Sequence, residues 1–526
     1  MLELALCLSG GGYRAAVFHL GVLTYLNRVS MPQGGRLLER VHTITCISGG
    51  AMPGISYMLG LAKGQDLDDC FKRLFNKLIV HGLSEEVLKE FEKQAKTGVG
   101  LIQVLAKVYD DVFFHNEKFG TIMDHISWDG IHHFSVDATD FELGSPFRFQ
   151  ATDRIVKQGR KEEYGVIGNS RHKIDRDVAK EIRLSDIMAA TSCFPLVFEP
   201  LNYPDDFTFD KPELKLSEDA TSYVLMDGGL VDNQGIDPAL HAEEHLNTTK
   251  NRNHDFLILS DAGNLGSEEQ RSIINWSNKS PDFYFWLFGG IAIASGIGAI
   301  FAWFSSIHFL SGCCMTVALV LSVLLGLFRS AENKVTSMLK EHGNVVGDYQ
   351  FIWHSPINNI AKFLRDRFDT AHRMVDVVMM GHIKKFAYKS LFNSTTWNNR
   401  IMLNSLFILS SKGKWDRALY KRNNQDKDMT PSRRIRQNSD KANRMKTTLW
   451  FTEEEVRTGM PEAILACGQY TICWNLLQHI DRLEGVPEDQ RSDGQKELIG
   501  IKSILKGDWI RFNKNPKQWA NSYRED

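Results

Sequence analysis

Two short apolar runs, each breaking into glycine, stand within one βαβ length of each other near the start of the chain. The first is Leu4-Ala5-Leu6-Cys7-Leu8-Ser9-Gly10-Gly11-Gly12-Tyr13-Arg14, and the second is Ile44-Thr45-Cys46-Ile47-Ser48-Gly49-Gly50. A short apolar run reads as a buried strand, and glycines after it allow a sharp turn that leaves backbone N–H groups bare. A serine on a strand-to-helix turn reads as an exposed nucleophile. The pair constrains the chain to an α/β arrangement that holds an oxyanion loop beside a hydroxyl, the two parts that acyl transfer requires.

Other glycine-loop chemistries fit poorly. A dinucleotide turn needs G-x-G-x-x-G, but Tyr13 and Arg14 follow directly and Ala15 and Ala16 stand where the last glycine would fall. A P-loop needs Gly-Lys-Ser/Thr, which is absent. A third apolar run, Val224-Leu225-Met226-Asp227-Gly228-Gly229, again ends in glycine and carries a carboxylate. Phe256-Leu257-Ile258-Leu259-Ser260-Asp261 reads as a further buried strand ending in an acid, so Asp261 is the rival to Asp227 as catalytic carboxylate.

With these three segments the sequence resembles the patatin-like phospholipases, a family with a glycine-rich oxyanion loop, a G-x-S-x-G elbow and an Asp-Gly-Gly or Asp-Gly-Ala. Ala138-Thr139-Asp140-Phe141-Glu142-Leu143-Gly144 and Ala189-Ala190-Thr191-Ser192-Cys193-Phe194-Pro195 resemble the same family, so five ordered motifs cover about the first half of the chain. One position departs from the pattern. Cys46 stands where the elbow has its first glycine. Cysteine is compact and apolar, and the turn is expected to survive it.

The resemblance implies a three-layer α/β/α sandwich with a central, mostly parallel sheet. It implies a Ser48–Asp227 dyad working through an acyl-enzyme, with Gly10, Gly11 and Gly12 donating N–H groups to the oxyanion, and it favours Asp227 over Asp261. Arg14 either anchors the loop or neutralises a phosphate. The implied activity is lipid acyl hydrolysis of the phospholipase A or lysophospholipase type. Acyl transfer by the same dyad, or a non-catalytic membrane scaffold, are the alternatives. With 17 histidines a triad is not excluded by counting. His19, two turns into the first helix, reads as packing rather than base. Asp140 reads as a turn-tying residue. Asp137-Ala138-Thr139-Asp140 lacks calcium-loop spacing and no Cys/His set has zinc spacing, so neither a metal nor a cofactor is expected.

Phe283 to Phe328 contains no Asp, Glu, Lys or Arg, room for two membrane passes of ~20 residues each. Ser305-Ser306 and His308 mark the tip, and Trp286 and Trp303 suit the two interfaces. The competing reading is a buried core helix pair, which would need no polar face. Small residues recur at every fourth position, at Gly290, Ala294, Gly298 and Ala302 and at Cys314, Ala318, Ser322 and Gly326, predicting a packing ridge. Lys279 on one flank and Arg329, Lys334 and Lys340 on the other place the base, and with it the catalytic part, on the cytoplasmic side. A membrane location with phospholipid or lysophospholipid partners follows.

The 526 residues carry a net charge of −2, which gives no global pull toward nucleic acid or membrane. Eight cysteines in so long a chain predict reduced thiols rather than a disulfide framework. No signal peptide is visible, because the first strand runs straight into the glycine loop. The expected organisation is a catalytic part over 1–280, a transmembrane hairpin over 281–330, the second part of the same domain over 331–485 and a C-terminal tail over 486–526. Gly64 to about Phe119 has helical spacing and forms either a cap or a packing layer. Leu406–Leu409 and Thr448–Phe451 read as late strands, with a closing helix through Pro461–Leu477. Lys421–Lys446 is basic and reads as a solvated loop or a contact for anionic head groups. Oligomeric state is not read from the sequence.

Overall fold

The computed structural model describes residues 2–80, 82–94, 98–127, 130–152, 166–211, 213–214, 222–263, 277–342, 351–394, 397, 399–417 and 429–524. The chain divides into two compact units, Met1–Ser267 with Val375–Asp526, and Glu268–Met374. The strands are β1 (Leu4–Leu8), β2 (Val41–Ile47), β3 (His133–Asp140), β4 (Ser145–Thr152), β5 (Ile167–Gly168), β6 (Lys173–Ile174), β7 (Leu201–Tyr203), β8 (Tyr223–Asp227), β9 (Phe256–Asp261) and β10 (Ile401–Ser405). The main helices of the first half are α1 (Gly12–Arg28), α2 (Ala51–Ala62), α3 (Leu67–Val80), α4 (Leu83–Gln94), α5 (Leu101–Tyr109), α6 (Leu184–Ser192) and α7 (Ile236–Lys250). They continue with α8 (Pro281–Phe304), α9 (His308–His342), α10 (Ile357–Arg373), α11 (Met380–Phe392), α12 (Arg433–Ala442), α13 (Met460–Glu484), α14 (Asp493–Ile499) and α15 (Lys502–Lys514).

In the larger unit the strands form one sheet in the order β10-β9-β1-β2-β3-β4-β5-β6, with β8 also on β3 and β7 on β8. The run from β10 to β3 is parallel, and the rest is antiparallel. Because successive side chains of a strand point to opposite faces, Leu4, Leu6 and Leu8 enter one core while Ala5 and Cys7 enter another. Helices α1 and α13 cover the first face, and α7 and α11 cover the second. This is the mostly parallel α/β/α sandwich expected from the sequence, and both faces are buried, which is why these strands are continuous apolar runs.

One detail of the pairing positions everything that follows. His133–Asp137 of β3 pair with Thr43–Ile47 of β2, while Ala138–Asp140 of β3 pair with Asp227–Leu225 of β8. Strand β4 occupies the opposite edge of β3 throughout. Parallel β2 and antiparallel β8 therefore share an edge and end against each other.

The segment read as a cap or layer is helical, as α3, α4 and α5. Two late strands are not found. The edge strand is Ile401–Ser405, and Leu406 closes it by donating from its N–H to the Asp261 carbonyl. Leu406 and Leu409 are apolar because they fill the core, not because they lie in a ladder. Thr448–Phe451 has no strand partner and instead carries a contact to the glycine loop. The basic stretch is partly a folded helix: α12 buries Ile435, Asn438, Ser439 and Ala442, and Lys421–Asp428 lie outside the described residues. Residues 486–524, read as a tail, return to the core through α14 and α15, where Leu498, Leu505, Trp509 and Phe512 are buried. The phenol of Tyr25 on α1 donates to Asp508 at 3.2 Å, and its ring packs on Phe512.

In the smaller unit α8 and α9 are long and apolar enough to cross a membrane, with mean hydropathies of 1.9 and 2.3 over Pro281–Phe304 and His308–Lys334. Among the described residues only Ala292, Ala299 and Ala302 of α8 and Ser311 of α9 are buried. A soluble core pair would be mostly buried. The seam between them keeps half of the expected ridge. Ala302 is buried, a Cβ on Gly298 would stand 3.9 Å from the Cys314 Sγ, and Ala318 is half-buried, whereas Gly290, Ala294, Ser322 and Gly326 are exposed and Gly289 lies toward Leu325 instead. A strict four-residue repeat drifts around a helix of 3.6 residues per turn, whereas alternating threes and fours stays on one face. The Ser311 hydroxyl donates to the Ala299 carbonyl at 2.7 Å and closes the tip.

Helix α1 is buried from Gly12 to Leu26 and crosses α13 at two glycines. A Cβ on Gly21 would stand 2.1 Å from the Leu465 carbonyl oxygen, and one on Gly468 would stand 2.1 Å from that of Phe18. Gly468→Val is expected to destabilise the fold by about 1–3 kcal/mol or more through overpacking. A thermal melt reads this as a lowered Tm, and an unchanged Tm would show that the crossing relaxes freely.

Candidate active site

Ser48 follows β2 directly and Asp227 ends β8, so the end-on meeting of the two strands brings them together. The Ser48 hydroxyl donates to Asp227 Oδ2 at 2.9 Å. Ser48 has φ 48°, a left-handed value that a non-glycine residue adopts only where its surroundings enforce it, and it heads a tight turn into α2. The turn is enforced from two sides. The Ser48 N–H donates to Thr191 Oγ1 at 2.9 Å, and that hydroxyl donates in turn to the Asp137 carbonyl at 2.5 Å.

Asp227 is held equally firmly. Its N–H donates to the Cys193 carbonyl, its carbonyl accepts from Thr139 Oγ1, and its Oδ1 accepts from the Gly229 N–H at 2.7 Å. Burial pushes its carboxyl up to about 7, against the lowering effect of the Gly229 N–H and the Ser48 hydroxyl.

The glycine run lies against the elbow backbone to backbone. A Cβ on Gly49 would stand 2.1 Å from the Gly12 carbonyl oxygen, and one on Gly50 would stand 2.4 Å from that of Leu8. Gly11 has φ 140° and Gly12 φ 59°, which explains why this turn has no side chains. The three glycines are not equivalent. The Gly10 N–H donates to the Asn233 carbonyl at 3.0 Å and is therefore committed, which corrects its place among the three donors. The Gly11 and Gly12 N–H groups open the N-terminus of α1, where the first N–H groups have no intrahelical partner and the helix dipole favours negative charge. The next N–H, that of Tyr13, is taken by the Thr448 carbonyl at 2.8 Å.

Arg14 is buried, and its guanidinium donates to the carbonyls of Ala262 and Met445 and to Thr447 Oγ1. All three partners are structural, so of the two readings it is the loop anchor that has contacts here. Asp261 faces away from the elbow chemistry. Its Oδ2 accepts from Lys384 and Tyr388, and despite burial these partners hold it below the usual carboxylate range. His19 Nε2 donates to the Ser9 carbonyl and Nδ1 accepts from Ser260, both at 3.0 Å, and burial pushes its pKa down to about 4. A neutral imidazole with both nitrogens occupied is a packing residue. Asp140 accepts from the Leu143 N–H, Asn169 and His172, the turn-tying set expected for it.

Residues 6–240 match the patatin-like phospholipase family model. This part of the chain is a patatin-like domain. No curated protein matches the sequence. Among solved structures the chain is similar to human GIVD cytosolic phospholipase A2, at 17% identity over 28% of this chain and 22% of that one, with a TM-score of 0.23. It therefore spans about a fifth of that protein's length. It is also similar to VipD from Legionella pneumophila, at 10% identity over 100% of this chain and 88% of that one, with a TM-score of 0.24.

Three residues of the patatin-like site have contacts that single-residue reading misses. Thr191 ties the elbow through its hydroxyl, and its carbonyl accepts from the Gly228 N–H beside Asp227. Asn233 holds Gly10 through its carbonyl, and its Oδ1 would meet a Cβ on either Gly10 or Gly229. Gly54 explains how Cys46 is tolerated, since a Cβ on Gly54 would stand 2.3 Å from the Cys46 Sγ. The sequence signal for Thr191 is its place in Ala189–Pro195. Asn233 and Gly54 have none.

Thr191→Val keeps the shape and removes both hydroxyl bonds, leaving the Ser48 N–H unpaired and buried. An unsatisfied buried donor costs about 1–3 kcal/mol. The expected result is labelling of Ser48 by a fluorophosphonate slowed by about tenfold or more, with an unchanged circular dichroism spectrum. Labelling at the native rate would show that the elbow holds its geometry without Thr191.

Proposed function

We propose that the chain is a membrane-anchored serine lipid acyl hydrolase of the phospholipase A or lysophospholipase type. The observation that carries this reading is the 2.9 Å hydrogen bond from Ser48 to Asp227 beside the two open N–H groups of Gly11 and Gly12. The match of residues 6–240 to the patatin-like phospholipase model supports lipid acyl hydrolysis as the chemistry.

In the proposed reaction Ser48 Oγ attacks the ester carbonyl as Asp227 Oδ2 takes its proton. The tetrahedral oxyanion falls to the Gly11 and Gly12 N–H groups at the α1 N-terminus. Collapse expels the alcohol, which takes the proton from Asp227, and leaves Ser48 acylated. A water then gives its proton to Asp227 and attacks the acyl carbonyl, and collapse of this second intermediate returns the proton from Asp227 to Ser48 Oγ as the fatty acid leaves. A carboxylate of ordinary acidity is a poor base for a hydroxyl, and burial that lifts Asp227 to about 7 brings it into the useful range. Arg14 acts as the loop anchor.

Helices α8 and α9 are read as a membrane hairpin that leaves the catalytic unit on the cytoplasmic side, with Lys279 and Arg329 at its base. The substrate is then a phospholipid or lysophospholipid of that leaflet, and no cofactor takes part.

Ser48→Ala and Asp227→Asn are each expected to lower ester hydrolysis by about 10³-fold or more and to be strongly non-additive when combined, because nucleophile and base act as a unit. Native turnover in Asp227→Asn would refute the dyad. Asp227 must be ionised to accept the proton, so kcat/KM should fall as pH drops through about 7. A profile that is flat between pH 5 and 8 would remove Asp227 as the base. Replacing Phe283–Phe328 with a polar linker of ~6–10 residues is expected to free the protein from membranes while hydrolysis of a short-chain ester survives. Equal loss on soluble and vesicle substrates in a folded variant would place the hairpin in the active site.

A further inference from the structure

The base of the α8–α9 hairpin is a belt of rings and cations. The Phe285 ring stands 5.9 Å from Phe328 and Phe328 stands 5.7 Å from Trp353. The Lys279 ammonium lies 4.9 Å from the Phe283 ring and the Arg329 guanidinium 5.7 Å from that of Phe285. Tyr284 shares a 2.7 Å hydrogen bond with Ser277. Amphipathic aromatics and snorkelling cations collect at the level where hydrocarbon gives way to head groups.

Helix α10 starts from this belt. The Ile357 N–H donates to the Lys279 carbonyl and the Asn358 N–H to the Ser277 carbonyl, both at 2.9 Å. The Asn358 side-chain amide reaches Asn278 at 2.7 Å. The start of α10 is therefore fixed beside the start of α8, at the depth the belt defines.

Along α10 Ile357, Ile360, Ala361, Leu364, Phe368 and Ala371 fall on one stripe at helical spacing, and Phe363, off the stripe, packs under the Arg367 guanidinium at 3.7 Å. Asn359, Lys362, Asp366, Asp369 and Arg373 lie on the other side, and Arg365 and Arg367 flank the stripe. No residue of α10 is buried, and Leu364 and Phe368 are 57% and 53% exposed. The helix carries Lys362, Arg365, Arg367 and Arg373 against Asp366 and Asp369, an excess of positive charge. An apolar stripe between basic margins suits a helix lying in the interface plane of a bilayer, with cations favouring anionic lipid.

We propose that α10 is an interfacial helix that lies on the anionic leaflet at the hairpin base, with Leu364 and Phe368 in the acyl region and Arg365 and Arg367 among the head groups. The proposal rests on the reading of α8 and α9 as membrane spans. A partner protein covering the same stripe is the competing occupant, and the test separates the two.

Six of the eight cysteines are buried, so a Cys313→Ser, Cys314→Ser background allows a new cysteine to be labelled selectively. The full chain, carrying a polarity-sensitive fluorophore at Leu364→Cys or at Asp366→Cys, is reconstituted in phosphatidylcholine vesicles with and without a minority of phosphatidylserine. The expected result is a blue-shifted signal at 364, quenched by acyl-chain doxyl-labelled phosphatidylcholine, with little quenching at 366. Reversing the flanks, Arg365→Glu with Arg367→Glu, should abolish the phosphatidylserine dependence of that quenching. Alkaline carbonate extraction reads the hairpin independently. A chain that resists extraction yet shows equal, weak quenching at both positions would overturn the interfacial helix while leaving the spans intact, and would hand the stripe to a protein partner. Extraction together with strong quenching at 364 would overturn the hairpin and keep the helix as a peripheral anchor. Extraction without quenching would overturn both.

Discussion

Two strands of opposite direction end against each other on one edge of β3, and the meeting of Ser48 with Asp227 depends on that junction. Strand β3 pairs with β2 up to Asp137 and with β8 from Ala138 onward. No loop has to be folded back to bring the hydroxyl to the carboxylate. Ser48 and Asp227 are the last or next residues of elements whose positions the sheet already fixes, and sites built on rigid elements hold geometry better than sites on loops. Thr191 clamps the junction from α6, binding the Ser48 N–H, the Asp137 carbonyl and, through its own carbonyl, the Gly228 N–H.

A second constraint follows from the first. The glycine loop approaches the elbow at backbone contact distance, and Gly12 and Gly49 make that approach possible. The loop is closed from outside by Met445–Thr448, through Arg14 and Tyr13. Residues more than 400 positions away thus hold the loop in place. The site belongs to a domain whose two halves of sequence lie on either side of the hairpin, even though the family match covers only residues 6–240.

What was legible in the sequence was local. Apolar runs ending in Gly10, Ser48 and Asp227 showed the strands, the turns and the paired groups, because strand burial and glycine turns leave short-range signatures. The commitment of the Gly10 N–H to Asn233 was not legible, since it depends on a carbonyl 223 positions on. Thr448–Phe451 reads as a strand by composition, yet its apolar residues pack against the glycine loop and core without a ladder. The small residues of the hairpin were legible as a set, but the fourfold spacing holds only toward the tip, at Gly298, Ala302, Cys314 and Ala318, because a fourfold repeat rotates out of a seam that a heptad follows. Residues 486–524 carry no motif, and only the packing of Trp509 and Phe512 against α1 and α13 assigns them to the core.

The crossing of α1 and α13 joins parts of the domain that lie far apart in the sequence. Helix α1 is buried over nearly its whole length, and the partner that covers it follows more than 400 positions later. Until residue 484 is in place, the face of α1 that α13 covers has nothing against it. A chain interrupted just before Met460 would therefore carry the serine elbow and Asp227 and still lack the cover that keeps α1 folded beside them.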